Sequence, residues 1–240
     1  MGKVAIVTGA AGDGMGRSIA LTFAREGVSV VINYLKNEEK AQKVVEYIRN
    51  NGGQAIAVQA NVFLLEDCKR LVQTTLDTYE KVDILVLGPG AGWNPEKIEN
   101  LESEIGLQDI SQEISPIYNL LPLVIKDMEK RRWGRIVGIA TNMAIPSPAF
   151  SYNVAKAGRI ELLKLASKEV WEKGITVNVI APGPIENFTS LEEACTYCHD
   201  SSYLIGRSKI TPQDIAEGAS YLCSDAARYV TGCALPFNFE

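Results

Sequence analysis

The chain has a single histidine, His199, and an odd, scattered set of cysteines at Cys68, Cys195, Cys198, Cys223 and Cys233. Such spacing is not a disulfide framework; it points to free thiols in a reducing cytoplasm. One histidine beside Cys195 and Cys198 leaves a zinc site short of ligands, so no metal centre is expected. No apolar run approaches the roughly 18 residues that suggest a membrane span. The opening MGKVAIVTGA leads straight into an apolar run without a basic leader segment, so no secretory signal is expected. Basic residues are not in excess: 24 Lys and Arg against 29 Asp and Glu give a net charge of −5. That balance gives no general pull toward nucleic acid or an anionic membrane.

What is present is the composition of a globular protein. With 46% hydrophobic and 22% charged residues, 240 residues can build one large core without a staple. Strand-like runs at Val4–Val7, Val28–Ile32, Ala55–Gln59, Ile84–Leu87, Arg135–Ala140, Thr176–Ile180 and Cys233–Leu235 alternate with helical stretches. The helices are expected over Arg17–Glu26, Glu38–Arg49, Glu66–Tyr79, Tyr152–Lys173 and Pro212–Cys223. Asn94–Asp109 reads as a short helix or loop, and Pro116 and Pro122 are expected to mark a first turn or a kink in a helix ending near Arg132. Glu186–Ser208 is a polar stretch. Repeated β-then-α order with fully apolar strands predicts an α/β protein: a doubly wound parallel β-sheet with helices on both faces, in a single domain over residues 1–240.

The first strand runs into Thr8-Gly9-Ala10-Ala11-Gly12-Asp13-Gly14-Met15-Gly16. Glycines let backbone N–H groups approach a pyrophosphate without Cβ clashes, and the following helix N-terminus adds partial positive charge. A plain βα turn is the alternative, but the flanking strand and helix favour a dinucleotide site. The second strand ends Ile32-Asn33-Tyr34-Leu35-Lys36, without the carboxylate that bonds a ribose 2′-hydroxyl. That absence leans toward NADP over NAD, with Lys36 either a partner of the 2′-phosphate or a solvated surface residue. Asp13 argues the other way.

Tyr152 and Lys156 stand one helical turn apart in Tyr-Asn-Val-Ala-Lys, so their side chains share a face. A nearby ammonium favours phenolate, lowering the tyrosine pKa and suiting it to proton exchange with a developing alkoxide. With the segments Ala60-Asn61-Val62, Asp83-Ile84-Leu85-Val86, Gly134-Arg135-Ile136-Val137, Tyr152-Asn153-Val154-Ala155-Lys156-Ala157-Gly158, Ala181-Pro182-Gly183-Pro184-Ile185 and Pro212-Gln213-Asp214-Ile215-Ala216, the chain resembles the short-chain dehydrogenase/reductase family over essentially its whole length. The resemblance implies a Rossmann-type fold and an NAD(P)-dependent oxidoreductase interconverting a carbonyl and a secondary alcohol. It implies Tyr152 as acid/base, with Lys156 binding the nicotinamide ribose and tuning Tyr152. Gly9, Asp13, Gly14, Met15, Gly16, Tyr34 and Gly88 would lie along the cofactor, Asn61 and Val62 beside adenine, and Pro182, Gly183 and Ile185 beside the carboxamide. It also implies a small-molecule substrate, a lid over about 186–208, and a homodimer or homotetramer formed through the helices ending near Arg132 and Lys173.

Departures from the family pattern cluster at the chemistry. The usual serine falls on Thr141, which keeps a hydroxyl donor but adds a methyl. The asparagine usual in the proton relay falls on Glu113, which either holds a relay water or is a surface residue on a shifted helix. Leu87-Gly88-Pro89-Gly90 keeps a close-approach turn beside the cofactor. The glycine loop is one residue longer than usual, and the segment between Thr141 and Tyr152, with Pro146 and Pro148, is shorter. A dinucleotide-binding or regulatory subunit without turnover therefore stands as the alternative, while the glycine loop and Lys156 speak against a non-redox member. Cys195-Thr196-Tyr197-Cys198-His199 matches a haem or metal spacing, but packing within the lid is the favoured reading. Phe188, Tyr197 and Tyr203 in the lid suggest a partly apolar ligand. The terminal Leu235–Glu240 either joins a subunit interface or frays.

Overall fold

A computed structural model of the chain describes residues 2–142, 148–200, 202 and 209–238. Seven parallel strands, β1 (Val4–Val7), β2 (Ser29–Tyr34), β3 (Ala55–Gln59), β4 (Ile84–Leu87), β5 (Gly134–Ile139), β6 (Ile175–Pro182) and β7 (Ala234–Phe237), form one sheet in the order β3-β2-β1-β4-β5-β6-β7. Helices α1 (Met15–Arg25), α2 (Glu38–Asn50), α3 (Leu65–Tyr79), α4 (Ser103–Arg131), α5 (Phe150–Val170), α6 (Leu191–His199) and α7 (Pro212–Cys223) accompany them.

The strands have no polar face because both faces are covered. Successive side chains point to opposite sides of a strand. Ala5, Val7, Val30, Ile32, Ile84 and Val86 therefore pack on one side with Phe23 of α1, Val44 of α2 and Ile215 of α7. Ile6, Val31, Leu85 and Leu87 pack on the other with Leu71 of α3, Val124 of α4 and Leu163 of α5. Each fully buried side chain of this size contributes about 1.5–3 kcal/mol.

The strand order places the site. From β1 the chain runs outward through β2 to β3, then returns to β4 on the other side of β1 and proceeds to β7. The two adjacent strands send their following loops in opposite directions and leave a crevice at their C-terminal ends. Thr8 stitches the floor of that crevice: its N–H and its hydroxyl donate to Val86 O at 3.0 and 2.8 Å, and Gly88 N–H donates to its Oγ1 at 2.9 Å. Buried Asn33, at the end of β2, braces the adjoining wall. Its Oδ1 accepts from Gly9 N at 3.2 Å, while its Nδ2 donates to the carbonyls of Ala60 at 3.0 Å and Val58 at 3.3 Å.

Three expectations change. Pro116 and Pro122 neither start nor break a helix; both lie inside the continuous 29-residue α4. An internal proline costs about 3 kcal/mol, which is outweighed by burial of Ile117, Leu120, Leu121, Val124 and Met128 along one face. The ring of Pro122 points to the exposed side. Within Asn94–Asp109, a 3-10 turn at Ile98–Asn100 precedes α4, which already begins at Ser103. The polar stretch after Glu186 contains α6, capped by Ser190, whose Oγ accepts from Glu193 N at 3.0 Å. Leu235–Phe237 does not fray but pairs with β6; Phe239, Glu240, Pro146 and Tyr203 lie outside the described residues.

Replacing Asn33 with Ala leaves the Gly9 N–H and the Ala60 carbonyl without their shared partner. The expected loss is about 1–3 kcal/mol of stability, read as a lower urea midpoint at unchanged m-value.

Candidate active site

The glycine loop is folded tightly onto itself. Gly9 has φ +66, and a Cβ there would also sit 2.9 Å from Pro89 Cγ. A Cβ at Gly16 would lie 2.7 Å from Gly9 O, and one at Gly88 would lie 2.7 Å from Thr8 O. Gly12 and Gly14 differ: nothing lies within 4 Å of a Cβ at Gly12, and only Asn187 Oδ1, at 3.8 Å, near one at Gly14. These two leave open space at the mouth of the crevice. Helix α1 begins there with no side-chain cap and no acidic residue in its first turn, so its N–H groups are free to meet an anion. The loop therefore fits the pyrophosphate of a dinucleotide.

The outer end of the crevice is more occupied than expected. Asp13 is clasped by Lys40 Nζ at 2.7 Å and Arg17 Nη1 at 2.9 Å. The Lys40 hydrogen bond, ahead of the Arg17 charge, holds its carboxyl below the usual range. Lys36 is exposed and borders a surface depression with Lys40 and Lys43. The Tyr34 side chain is buried in the core. Asn61 shapes a turn: its N–H donates to Asp67 Oδ2 at 2.7 Å and its Oδ1 accepts from Phe63 N at 3.1 Å. Val62 is buried, and its carbonyl accepts from Asn119 Nδ2 at 3.1 Å.

Beyond the loop a cleft of about 710 Å³ is lined by Met15, Trp93, Thr141, Asn142, Tyr152, Asn153, Pro182, Gly183, Ile185 and Asn187, among others. Thr141 follows β5, the Pro182–Ile185 segment ends and follows β6, and Tyr152 sits in the first turn of α5. Tyr152 and Thr141 line the same cleft, close enough for the Thr141 hydroxyl to favour ionisation of the phenol, and the Thr141 hydroxyl donates to Pro182 O at 3.4 Å. The phenol thus faces the cleft. None of the described lining residues carries a formal charge.

Glu113 lies beneath this wall and is neither a surface residue nor open to water: it is fully buried. Its Oε1 meets Lys156 Nζ at 2.8 Å and accepts from Ala91 N at 2.7 Å, while Oε2 meets Arg159 Nη1 at 3.1 Å. Both carboxylate oxygens are engaged. A Cβ at Gly90 would overlap the carboxylate, so glycine is what lets the turn after β4 approach it. The expectation that Lys156 depresses the Tyr152 pKa is not met in the chain alone. The phenol is pushed above its usual value, first by burial and then by the Glu113 charge, with Thr141 and Arg159 opposing. Lys156, its nitrogen 5.2 Å from the Tyr152 ring centroid, is lowered by burial against the raising pull of Glu113.

Cys195 and Cys198 are absent from the described lining of the cleft. Both are buried as α6 packs on α1. There Arg25 Nη1 donates to Cys198 O at 2.5 Å, and Arg17 Nη2 donates to Ser190 O at 2.8 Å. Burial pushes both thiols up. Exposed His199 lies 6.4 Å from the Tyr47 ring on the outer surface, away from the described lining of the cleft. Phe188 is buried and stacks on Tyr197 at 4.7 Å, and neither belongs to the described lining of the cleft. Sequence reasoning did not single out Arg159, Trp93, Asn142 or Asn187. Only Arg159 carried a legible signal, its spacing of three from Lys156 and seven from Tyr152 on one helix face.

A family model described as enoyl-(acyl carrier protein) reductase matches residues 9–238. The chain is 35% identical to 3-oxoacyl-[acyl-carrier-protein] reductase of Synechocystis, over 96% of its length and 93% of that protein. It is also 35% identical to 7alpha-hydroxysteroid dehydrogenase of Escherichia coli, over 96% and 91%. The crystal structure of gox2181 superposes with a TM-score of 0.84 at 27% identity, covering 98% of this chain and 93% of that one. The chain belongs to the short-chain dehydrogenase/reductase family, and it is an oxidoreductase of that family with a Rossmann-type fold. A subunit that only binds dinucleotide is not favoured by relatives that are themselves named as enzymes.

Gly90→Ala drives a methyl into the Glu113 carboxylate. Overpacking of this kind costs about 1–3 kcal/mol, so the melting temperature is expected to fall, whereas Gly12→Ala leaves it nearly unchanged.

Proposed function

We propose that the protein reduces a small uncharged ketone, or oxidises the corresponding secondary alcohol, with a nicotinamide dinucleotide held along the glycine loop. The observation that carries this reading is that Tyr152 and Thr141 line one cleft together with Met15, at the head of the glycine loop. The nicotinamide ring supplies or accepts the hydride. In reduction, Tyr152 gives its proton to the carbonyl oxygen as that oxygen becomes an alcohol, and takes a proton back from water; oxidation reverses both transfers. Thr141 donates a hydrogen bond that holds the same oxygen. Lys156, anchored through Glu113, directs its remaining N–H groups to the nicotinamide ribose. Glu113 is read as the anchor of Lys156, because buried cations and a backbone N–H engage both of its oxygens.

Gly9, Gly14, Gly16 and Gly88 are assigned to the cofactor path, with Pro182, Gly183 and Ile185 beside the carboxamide. Asn61 and Val62 serve the adenine side through backbone and surface shape, and Tyr34 only supports that wall from within. NADP is the preferred form: β2 ends in Asn33 and Tyr34 rather than an acid, and Asp13 is neutralised by Lys40 and Arg17. Lys36 and Lys40 then offer positive charge to a 2′-phosphate. The lid is assigned to the stretch after Glu186, of which residues 186–200 and 202 are described and the rest, to 208, lie outside the described residues. The exposed Leu107, Tyr118, Val154 and Leu165 on α4 and α5 support a homodimer or homotetramer built through those helices. Five free cysteines, four of them buried, support a cytoplasmic setting. Among the described residues no helix is long and apolar enough to cross a membrane.

Tyr152→Phe is expected to lower kcat at least about a hundredfold while leaving cofactor binding, followed by nicotinamide fluorescence, unchanged; undiminished turnover would refute the assignment. In the same titration, Lys36→Ala with Lys40→Ala should weaken NADPH binding about tenfold or more, the loss of roughly one charge-assisted contact. NADH binding should stay as it is. Equal effects on both cofactors would remove the NADP preference.

A further inference from the structure

Glu113 places a negative charge beneath a phenol that must give up and regain a proton. Alone it would cancel the charge of Lys156, with which it pairs at 2.8 Å. Arg159 completes the group. It lies on the same face of α5 as Tyr152 and Lys156 and is fully buried. Its Nη1 donates to Glu113 Oε2 at 3.1 Å, to Glu113 O at 3.3 Å and to Pro89 O at 3.0 Å, and its Nη2 donates to Leu87 O at 2.6 Å. The guanidinium is therefore fixed by the backbone of β4 and its following turn as well as by the carboxylate. Its Nε has no hydrogen-bond partner among the described residues. Burying a cation this deeply is expensive, and a strut could be built from apolar side chains at lower cost.

We propose that Arg159 is a positioning residue that restores a net positive charge beside Tyr152, offsetting Glu113 while holding that carboxylate as the anchor of Lys156. This rests on Tyr152 being the group that exchanges the proton. With Glu113, Lys156 and Arg159 all charged, the cluster keeps one positive charge; without Arg159 it keeps none. The groups facing it are few. Helix α4 contributes Glu113 and Asp109, α5 contributes Tyr152, Lys156 and Arg159, and Glu96 stands behind Asp109 on the segment before α4. The turn after β4 contributes backbone, and the end of β5 the Thr141 hydroxyl. The balance at the phenol agrees: Glu113 pushes it up and Arg159 pulls it down. Asp109 is raised by burial and then by the Glu96 and Glu113 charges, and it is present in every variant compared below.

The test is the titration of the Tyr152 phenol in the full-length protein, followed by NMR of ring-labelled tyrosine and assigned with Tyr152→Phe. Arg159→Met should move it upward by about one pH unit or more. A phenol still protonated where the wild type has ionised counts as such a shift. Arg159→Lys should stay near wild type, and Glu113→Gln with Arg159→Met, which again leaves one positive charge, should return to it. The pH profile of alcohol oxidation should move in parallel. Should Arg159→Met not fold, Glu113→Gln and the double variant carry the same comparison: removing the arginine from the glutamine background must raise the titration. An unmoved titration in either pair would overturn the proposal and leave Arg159 a strut. Because the NMR titration needs no turnover, loss of the proposed reaction would be recognised separately, through undiminished activity of Tyr152→Phe.

Discussion

Three charged side chains meet out of water where α4 and α5 cross below the cleft, and the geometry of the wall above follows from how they are satisfied. A carboxylate buried without partners would cost several kcal/mol or take up a proton. Glu113 escapes that cost because Lys156, Arg159 and the Ala91 N–H converge on its two oxygens. The same contacts fix the turn after β4 against α4 and set the Lys156 ammonium within reach of the Tyr152 ring. Removing one member exposes the others to an uncompensated charge, so the cluster acts as a unit. Its position under the proton-exchanging wall ties the packing of two helices to the chemistry proposed for one phenol.

The crevice shows a division of labour between glycines. At Gly9, Gly16 and Gly88 the missing Cβ lets the chain pack against itself, which is a folding requirement. At Gly12 and Gly14 a Cβ would meet little or nothing, so the glycines there leave open space at the crevice mouth. Asn33 and Thr8 hold the two groups in register by spending side-chain hydrogen bonds on backbone atoms of the loop and the neighbouring strands. The described cleft lining is uncharged, whereas the outer depression carries Lys36, Lys40 and Lys43 together with Glu38, Glu39 and Glu46.

Much of this was legible from residue order. Val4–Val7, Ala55–Gln59 and Ile84–Leu87 were readable to the residue because an apolar run between turn signals has few alternatives in a covered sheet. The start of α4 was not legible from its prolines, because local propensity knows nothing of the apolar face that carries the helix through them. Glu113 was readable as a departure but not as a buried anchor, since its partner Arg159 is 46 residues away and nothing local links them. The Cys-x-x-Cys-His spacing was read as packing, and Cys195 and Cys198 do pack where α6 meets α1, while His199 stays exposed.

The distribution of thiols has a practical consequence. Cys68, Cys195, Cys198 and Cys223 are buried, and only Cys233 is exposed. Burial pushes Cys68 up to about 12, where alkylating reagents find almost no thiolate. Cys233 immediately precedes β7, whose other end carries Asn238 against Asn142 at the cleft. A maleimide dye would therefore mark one position at the opposite end of the edge strand, a native handle for following domain orientation on a surface without adding or deleting a residue.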